Sequence, residues 1–476
     1  MGAMATLRIL LIWACWGGVA VARANGLPPD FMAALQRAAI PLSNVALVVQ
    51  PLDSPRPWLA HQAEAAFNPA SVMKLVTSFA AFDQLGPAYT WVTEWWADGP
   101  LADGVLDGNL VVRGNGDPAL TIERLWLMQR ALRVRGVRDV RGDLVLDTGA
   151  FELPAMDAGA FDGEPLAAYN APPGALMANF NAISLRFIPG PTGVTVEPEM
   201  TLPGIAIRSR VRLRAGNCAG WRDTLAVAWT PTENTISVEG TYPRGCEARS
   251  WPLNLFEPAS TFALLFRGLW AESGGTLAGT TVPGRAPVTP ALLRFESEPL
   301  ADGVKRLNKY SSNQMTRNLF LTLGAEAYGA PATLDKGTRA VRAALDRHGI
   351  ATDTLVLENG SGLSRSERIT AQAMTHILRA AWQSPWWAEF ESALPIAGLD
   401  GTLARRFNKS PVMARAHLKT GSLRDVSALA GTVLTYSGRR VAFVLMVNHA
   451  NAGQAVAAQQ ALLEWTWADG PNLSAP

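Results

Sequence analysis

The spacing of apolar residues divides the chain into regions of different secondary structure. Val45 to Gln50 is a short apolar run stopped by Pro51, which predicts a buried strand. Pro69 to Leu85 carries apolar residues at helical spacing and ends before Gly86-Pro87, which predicts a helix. From about residue 90 to about residue 290, short strand-like pieces alternate with glycine and proline, which predicts a β-rich region. The pieces are Leu110–Arg113, Leu144–Asp147, Gly193–Glu197, Ile205–Leu213 and Thr235–Glu239.

Helical spacing returns in the last third of the chain. The predicted helices are Pro299–Asn308, Gln314–Ala327, Asp335–His348 and Thr370–Gln383. Two strand-like runs follow, Ala428–Tyr436 and Arg439–Asn448, and Ser437-Gly438 between them predicts a two-residue hairpin. The chain then ends in a predicted helix at Gly453–Trp467.

These elements predict an α/β protein with a large insertion. Strands near both ends of the chain, with helices between them, indicate one domain with a mainly antiparallel sheet. We expect residues 25–88 and 290–476 to form this domain. Residues 89–289 are then an inserted β-rich region of one or two subdomains. A length of 476 residues agrees with more than one domain.

Composition and charge exclude several classes of protein. Apolar residues make up 48% of the chain and charged residues 17%, a balance that excludes a disordered or fibrous protein. Beyond the N-terminus no apolar run approaches the length of a membrane-spanning helix, which excludes a polytopic membrane protein. The net charge is +2, and it falls to about zero without Arg8 and Arg23. We therefore do not expect a nucleic-acid partner.

The first 24 residues have the pattern of a secretory signal peptide. Arg8 precedes an apolar run from Ile9 to Ala22, and Ala22-Arg23-Ala24 matches a cleavage site. An uncleaved anchor and a lipidated Cys15 are the alternatives. Cleavage would export a mature chain that begins at Asn25, without an integral membrane segment.

Cysteine and histidine usage predicts one disulfide and no metal site. Cleavage removes Cys15 and leaves Cys218 and Cys246, an even pair that predicts one disulfide in an exported chain. Two buried thiols are the alternative. The five histidines show no His-Glu-x-x-His spacing, and two cysteines alone cannot form a structural zinc site. Neither a metal nor a cofactor is predicted.

Ser71 and Lys74 form the first candidate catalytic pair. They lie three positions apart at the start of the predicted helix, so the lysine amine can reach the serine hydroxyl. A serine alcohol needs an adjacent base, and a lysine whose pKa is lowered by burial or by a neighbouring cation can be that base. The helix N-terminus also offers an N–H group and a positive dipole end to a developing oxyanion. Only six of the 42 cationic residues are lysines, and Lys74 alone among them has serine three positions earlier.

Two further short motifs carry suitable side chains. Ser311-Ser312-Asn313 lies between two predicted helices, where a hydroxyl and a carboxamide on a short turn can point into one cleft. Lys419-Thr420-Gly421-Ser422 precedes the terminal hairpin, and its glycine lets an extended peptide approach the strand edge closely. Its lysine can hold a carboxylate, or it can be the cation that lowers the pKa of Lys74. Each motif alone is weak evidence, because all three also occur at ordinary helix and strand ends.

Together and in this order, the motifs resemble those of the serine penicillin-recognising proteins. Ser-x-x-Lys, Ser-x-Asn and Lys-Thr-Gly are present, and Ser311 lies 237 positions after Lys74. This long separation is similar to that of the D-alanyl-D-alanine carboxypeptidase/endopeptidase family, the large-insert, low-molecular-mass (class C) penicillin-binding proteins. One departure is Ser312, where the family often has Asp or Asn. Other strings that look similar are Gly114–Pro118, Gly142–Asp147, Tyr169–Pro173, Asn179–Asn181, Asn359–Ser364 and Leu394–Gly398.

The resemblance implies a reaction and assigns residues to it. Ser71 would be acylated by the penultimate D-alanine carbonyl of a peptidoglycan stem peptide, with Lys74 as the general base, and water would then hydrolyse the acyl-enzyme. The other implied residues are Ser311 and Asn313 for proton transfer and substrate binding, Lys419 and Thr420 for the substrate's terminal carboxylate, and the backbone N–H groups of Ser71 and Ser422 for the oxyanion hole. Thr420, Gly421 and Ser422 together would bind the substrate along the strand. The resemblance also implies a β-lactamase-like transpeptidase fold, covalent inhibition by β-lactams and a periplasmic location.

Other interpretations of the same residues remain open. A β-lactamase shares the three motifs but usually lacks an insertion of this size. A catalytically silent scaffold or peptidoglycan-binding protein would keep the fold without turnover. Gly114-x-Gly116-x-x-Ala119 also matches a relaxed dinucleotide fingerprint, although the proline within it favours a turn. The paired tryptophans Trp95-Trp96 and Trp386-Trp387 fit either packing or contact with a glycan.

Overall fold

A computed structural model describes residues 26–472. In this range the chain forms ten α-helices: α1 Pro29–Arg37, α2 Lys74–Leu85, α3 Ile122–Val134, α4 Pro258–Glu272, α5 Leu300–Tyr310, α6 Asn313–Tyr328, α7 Leu334–Arg347, α8 Ala371–Gln383, α9 Trp387–Ser392 and α10 Val456–Trp467. The predicted signal peptide, residues 1–24, lies outside the described residues. Among the helices of residues 26–472, none combines the length and the apolar character that crossing a lipid bilayer requires.

The same range contains twenty-two strands. They are β1 Val45–Pro51, β2 Leu59–His61, β3 Ala66–Phe67, β4 Val92–Asp98, β5 Leu101–Ala102, β6 Val105–Leu106, β7 Asn109–Arg113, β8 Asp139–Val140, β9 Leu144–Asp147, β10 Ile183–Pro189, β11 Val194–Pro198, β12 Ala206–Arg214, β13 Leu225–Thr230, β14 Thr235–Pro243, β15 Arg249–Leu253, β16 Thr276–Leu277, β17 Thr281–Pro283, β18 Leu293–Glu296, β19 Ile369–Thr370, β20 Ala416–Leu423, β21 Val426–Leu434 and β22 Arg440–Asn448.

A five-stranded antiparallel sheet is assembled from both ends of the chain. Its order is β2-β1-β22-β21-β20, and β1 pairs with β22 in the register Val45↔Val447. Both faces of this sheet are covered. Val48 belongs to the core that includes Phe79 of α2 and Ile377 of α8 on one face, and Leu47 belongs to the core that includes Phe31 of α1 on the other. This two-sided burial explains why β1 is apolar at nearly every position, and the predicted antiparallel α/β architecture is confirmed.

The inserted region is β-rich, as predicted, and is built from several small sheets. Their orders are β17-β9-β7-β4-β18, β16-β8-β6-β5, β11-β10-β15 and β12-β14-β13. Cys218 and Cys246 form the predicted disulfide there, with their Cα atoms 4.8 Å apart. The helices α3 and α4 were not predicted from the sequence. They pack on one another, and Phe266 of α4 stacks on Trp95 of β4 with ring centroids 4.9 Å apart.

Two local predictions were wrong in detail. The helix expected from Pro69 begins as a 3-10 turn, Ala70–Met73, and becomes α-helical at Lys74. The terminal hairpin does not turn on two residues. Thr435 N–H donates to Arg439 O at 2.9 Å, so three residues form the loop, and Gly438 has a φ of 86°. A turn followed by a glycine in the left-handed region is the common three-residue alternative to the shorter hairpin.

Candidate active site

Two segments pack closely against the 3-10 turn that carries Ser71. Gly421 of β20 lies so close that a Cβ atom there would be 2.4 Å from Pro69 O and 3.1 Å from Ser71 N. On another side Gly362 has a φ of 81°, and a Cβ atom there would be 1.8 Å from Ala70 O. Both positions therefore require glycine. In the described sheet β20 is an edge strand. Residues 395–397 pair with its first half, as in the Leu418 N–H to Pro395 O hydrogen bond, and the second half, beside Ser71, has no further described strand next to it.

Lys74 is fully buried directly behind Ser71. Its Nζ donates to Ser71 Oγ at 3.0 Å, to Asn313 Oδ1 at 2.7 Å and to Ser361 O at 2.5 Å. Burial holds the pKa of Lys74 well below its usual value, and the nearby charge of Lys419 lowers it further. A lysine amine that loses its proton readily and lies in hydrogen-bond contact with a serine hydroxyl has the properties of a general base.

Lys419 is the second buried lysine of the same cleft. This residue of β20 is fully buried, and its Nζ donates to Ser311 Oγ and to Thr420 O, each at 2.8 Å. Burial lowers the pKa of Lys419 to about 7. Thr420 is further held by a 2.9 Å hydrogen bond from its Oγ1 to Thr402 Oγ1. The cleft therefore holds two buried lysines, one hydrogen-bonded to Ser71 and the other to Ser311.

The Ser311-Ser312-Asn313 turn joins α5 to α6. Ser311 ends α5 in the left-handed region with a φ of 58°, which directs its hydroxyl to Lys419. Ser312 is the N-cap of α6 and accepts a hydrogen bond from Met315 N at 3.3 Å. Asn313 contacts Lys74 through Oδ1 and donates from Nδ2 to Tyr169 O at 3.0 Å. Tyr169 belongs to the insertion, so the insertion supports the cleft directly.

The loop before α8 contributes residues to which the sequence assigned no role. Ser361 supplies the carbonyl that accepts from Lys74. Beneath it Glu367, fully buried, accepts the backbone N–H groups of Glu358, Asn359, Gly360 and Gly362 at 3.1, 2.9, 2.8 and 2.9 Å. Burial raises the pKa of Glu367, and these four donors oppose that rise. The string Asn359–Ser364 gave a signal for this loop, whereas nothing local marked Glu367.

The structure thus brings Ser71, Lys74, Ser311, Asn313 and Lys419 into one cleft, with Thr420, Gly421 and Ser422 on the adjoining edge strand. Ser422 pairs in register with Ser427 of β21. In the part of the chain that the structure describes, no three His, Cys, Asp or Glu side chains lie close enough together to hold a metal ion. The arrangement can activate a serine hydroxyl and offer a cation to an anionic group beside it.

The other candidate motifs are engaged in packing. Gly116 lies against Phe151, whose ring a Cβ atom at Gly116 would approach to 2.2 Å, so side-chain carbon fills the space beside this turn. Trp95, Trp96 and Trp386 are buried, and Trp387 is partly buried against Phe390. These tryptophans are core residues, which favours the packing interpretation over a glycan platform.

Comparison with known proteins finds a matching family, related sequences and a similar crystal structure. The model of the D-Ala-D-Ala carboxypeptidase 3 (S13) family matches residues 30–468. D-alanyl-D-alanine carboxypeptidase DacB from Haemophilus influenzae is 28% identical over 426 residues, 86% of each chain. The D-alanyl-D-alanine carboxypeptidase of Actinomadura sp. (strain R39) is 32% identical over 426 residues, 86% of this chain and 78% of its own. The crystal structure of penicillin binding protein 4 from Haemophilus influenzae superposes with a TM-score of 0.78 at 26% identity, covering 92% of this chain and 99% of that one. That protein has also been solved in complex with a β-lactam.

Proposed function

The chain belongs to the D-Ala-D-Ala carboxypeptidase 3 (S13) family, and from its site geometry we propose that it is a serine D-Ala-D-Ala carboxypeptidase, DD-endopeptidase or both. Its substrates are peptidoglycan stem peptides, and its intermediate is an acyl-enzyme on Ser71. The observation that carries the proposal is the buried Lys74 amine, 3.0 Å from Ser71 Oγ and with a lowered pKa. A solvated surface lysine would have neither property.

Acylation follows from the contacts of Lys74 and Ser311. Ser71 Oγ attacks the penultimate D-alanine carbonyl while its proton moves to Lys74 Nζ, and a tetrahedral oxyanion forms. The backbone N–H groups of Ser71 and Ser422 are our candidates for stabilising that oxyanion. When the C–N bond breaks, the leaving amine takes the proton from Lys74, and the Ser311 hydroxyl, which contacts Lys419, is our candidate relay. The leaving group is free D-alanine in a carboxypeptidase and the amine of a cross-linked stem peptide in an endopeptidase.

Deacylation returns the enzyme to its starting state. Water attacks the acyl carbonyl and gives a proton to Lys74, and the ester C–O bond breaks as Ser71 Oγ recovers a proton. Lys419 and Thr420 bind the substrate's terminal carboxylate before acylation, Thr420 from the strand edge and the buried Lys419 as the positive charge beside it. Gly421 keeps that edge free of side-chain carbon beside Ser71.

We extend the proposal to inhibition by β-lactams. A β-lactam presents a carbonyl and a carboxylate in one molecule, so Ser71 would open the lactam ring while Lys419 binds the carboxylate. The β-lactam complex of the Haemophilus influenzae relative supports this extension. Formation of the ester on Ser71 would distinguish this enzyme from a silent scaffold. Slow hydrolysis of that ester would distinguish it from a β-lactamase.

The deciding experiment is intact-protein mass spectrometry after incubation with benzylpenicillin. We expect one persistent adduct on the wild type and none on Ser71→Ala. Ser312→Ala is the matched control, because its hydroxyl lies in the same cleft but caps α6, and it should keep the adduct. An adduct on Ser71→Ala would overturn the assignment of the nucleophile, and no adduct on the wild type with the antibiotic unconsumed would overturn the enzymatic function in favour of a silent scaffold. Rapid loss of the antibiotic without an adduct would identify a β-lactamase.

The proposal also covers the limits of the domains and the export of the protein. We propose that residues 25–88 and 290–476 form the catalytic domain around residues 89–289, and that removal of residues 1–24 delivers the protein to the periplasm. Support for export comes from the pattern of residues 8–24 and from the disulfide, a bond of oxidising compartments. N-terminal sequencing of the secreted protein should begin at Asn25.

A further inference from the structure

One exposed face of α3 connects the catalytic cleft with a cluster of arginines. Glu123, Trp126, Leu127, Arg130 and Val134 are exposed and follow one another at spacings that place them along one side of the helix. Together with the neighbouring Arg133 and Arg138, these residues are called the α3 face below. Neither the catalytic motifs nor the core uses them.

The two ends of the α3 face open into different cavities. At the N-terminal end a cavity of about 690 Å³ is lined by Glu123 and Leu127 together with Tyr310 and Ser312. Ser312 lies between the residues that contact the two catalytic lysines, so this end adjoins the proposed active site. At the other end a cavity of about 580 Å³ is lined by side chains of the α3 face: Trp126, Arg130, Arg133, Val134 and Arg138. The α3 face therefore extends from a cavity that includes Ser312 to a cavity lined by arginines.

Positive charge is concentrated on this part of the chain. Residues 122–141 contain six arginines and two acidic residues, a net charge of +4, whereas the whole chain carries +2. Within residues 26–472, Arg130 and Arg138 form neither an ion pair nor a side-chain hydrogen bond, and both are exposed. Arg133 lies over the Trp270 ring, 5.5 Å from its centroid. Arg130 and Arg138 line the same cavity, and their unpaired guanidinium groups are suited to bind an anionic partner, above all one that carries carboxylates.

Large apolar side chains project among these arginines. Trp126 is 47% exposed, Leu127 41% and Val134 78%. Tryptophan and arginine together are typical of surfaces that bind a partner. The α3 face thus offers apolar contact and positive charge along one side of the helix, starting from the cavity next to Ser312.

We propose that the α3 face binds the polymeric peptidoglycan substrate outside the cleavage site, through the carboxylates of its stem peptides. This inference rests on the proposed function and adds a second contact region to it. The 13-residue helix is about 20 Å long at 1.5 Å per residue. An extended peptide would need about six residues to span that length. The arginines therefore act on the polymer and lie beyond the reach of a short peptide bound in the cleft.

The test compares a polymeric with a short substrate in an Arg130→Glu/Arg138→Glu variant. Sedimentation with insoluble peptidoglycan sacculi, in a Ser71→Ala background, should show binding weakened at least about tenfold, since two attractive charges become repulsive. Release of D-alanine from sacculi by the active enzyme should fall as well. Hydrolysis of an acetylated tripeptide ending in D-Ala-D-Ala should stay within about twofold of wild type.

The matched control is Arg212→Glu/Arg244→Glu, which changes the net charge equally at two exposed positions elsewhere in the insertion. It should bind sacculi as the wild type does. Wild-type binding should also weaken when salt rises from about 0.05 M to about 0.5 M, because surface charges are then screened. This measurement needs no variant and so does not depend on variant folding.

Several outcomes would overturn the proposal. The first two are sedimentation of the arginine variant with sacculi at the wild-type level and an equal loss of sacculus binding in the control variant. The other two are sacculus binding that does not change with salt and binding of the protein to vesicles of anionic phospholipid in place of sacculi. Failure of the proposed function would look different. In that case neither the tripeptide nor benzylpenicillin would react with Ser71, while sedimentation would still report on the α3 face.

Discussion

Replacing Glu367 with glutamine tests how the loop behind Lys74 is held. The carboxylate accepts three N–H groups on Oε1 and one, from Gly362, on Oε2. Glutamine offers one oxygen and one NH2 group. With the oxygen in the Oε1 position, the NH2 group faces the Gly362 N–H, and that buried donor loses its acceptor.

The expected cost follows from these contacts. A buried backbone N–H without an acceptor costs about 1–3 kcal/mol, and the three remaining hydrogen bonds weaken because their acceptor is no longer charged. The avoided burial of a charge offsets part of this loss. We expect Glu367→Gln to lower the free energy of unfolding by about 2–4 kcal/mol.

The same substitution should change the pH dependence of acylation. The negative charge of Glu367 raises the pKa of Lys74 against the effects of burial and of Lys419. Removing that charge lowers the pKa of Lys74 further. A base acts in its neutral form, so activity rises as pH passes upward through its pKa. The acid limb of the acylation rate should therefore move to lower pH.

Two measurements check the reasoning, denaturant unfolding and the rate of benzylpenicillin acylation as a function of pH. Glu358→Gln is the matched control, because Glu358 lies in the same loop but accepts hydroxyl groups, such as that of Ser366 at 2.8 Å. It should leave the acid limb in place. An acid limb that moves to higher pH in Glu367→Gln would refute the electrostatic argument. Unchanged stability would refute the structural one.

Three further predictions concern the lysines and the disulfide. Lys74→Ala and Lys419→Ala should each lower the benzylpenicillin acylation rate by at least ~10²-fold, the scale of a lost general base or charge-stabilising group, and near-wild-type acylation would contradict the role of that lysine. Because burial lowers the pKa of Lys419 to about 7, its charge is lost as pH rises through that value, so kcat/KM for D-Ala-D-Ala peptides should fall on the alkaline side. In Lys419→Arg this alkaline limb should disappear from the range below pH ~10, and its persistence would assign the limb to another group. The double variant Cys218→Ala/Cys246→Ala opens a link across 28 residues and should destabilise the insertion by ~3–4 kcal/mol in thermal or denaturant unfolding. Penicillin labelling of that variant should be unchanged, and an unaltered unfolding curve would contradict the stabilising role.

The sequence determined the features that depend on near neighbours. The apolar run of β1 and the helical spacing after Ser71 predicted a strand and a helix because each pattern repeats over a few residues. Lys74 could be paired with Ser71 for the same reason, since three positions on a helix bring two side chains together. The resemblance then ordered the three distant motifs into one site.

In two places the local sequence pattern led to a wrong or missing prediction of secondary structure. The segment Ile122–Val134 is rich in strong helix formers, yet the glycines and prolines around it indicated strands, and α3 was not predicted. In the terminal hairpin, Ser437-Gly438 predicted the shorter turn. Choosing between hairpin loops requires the register of the flanking strands, which pairing across the whole sheet sets.

Only the tertiary structure decided what surrounds the two lysines. Lys74 meets Asn313 and Ser361 across 239 and 287 positions of sequence. Glu367 has no local pattern that marks it, because its partners are backbone N–H groups, which every residue except proline offers. Burial and neighbouring charge lower the pKa of a lysine, and both depend on how distant segments pack around it. The sequence therefore indicated which groups take part, and the packing of the fold decided their ionisation and contacts.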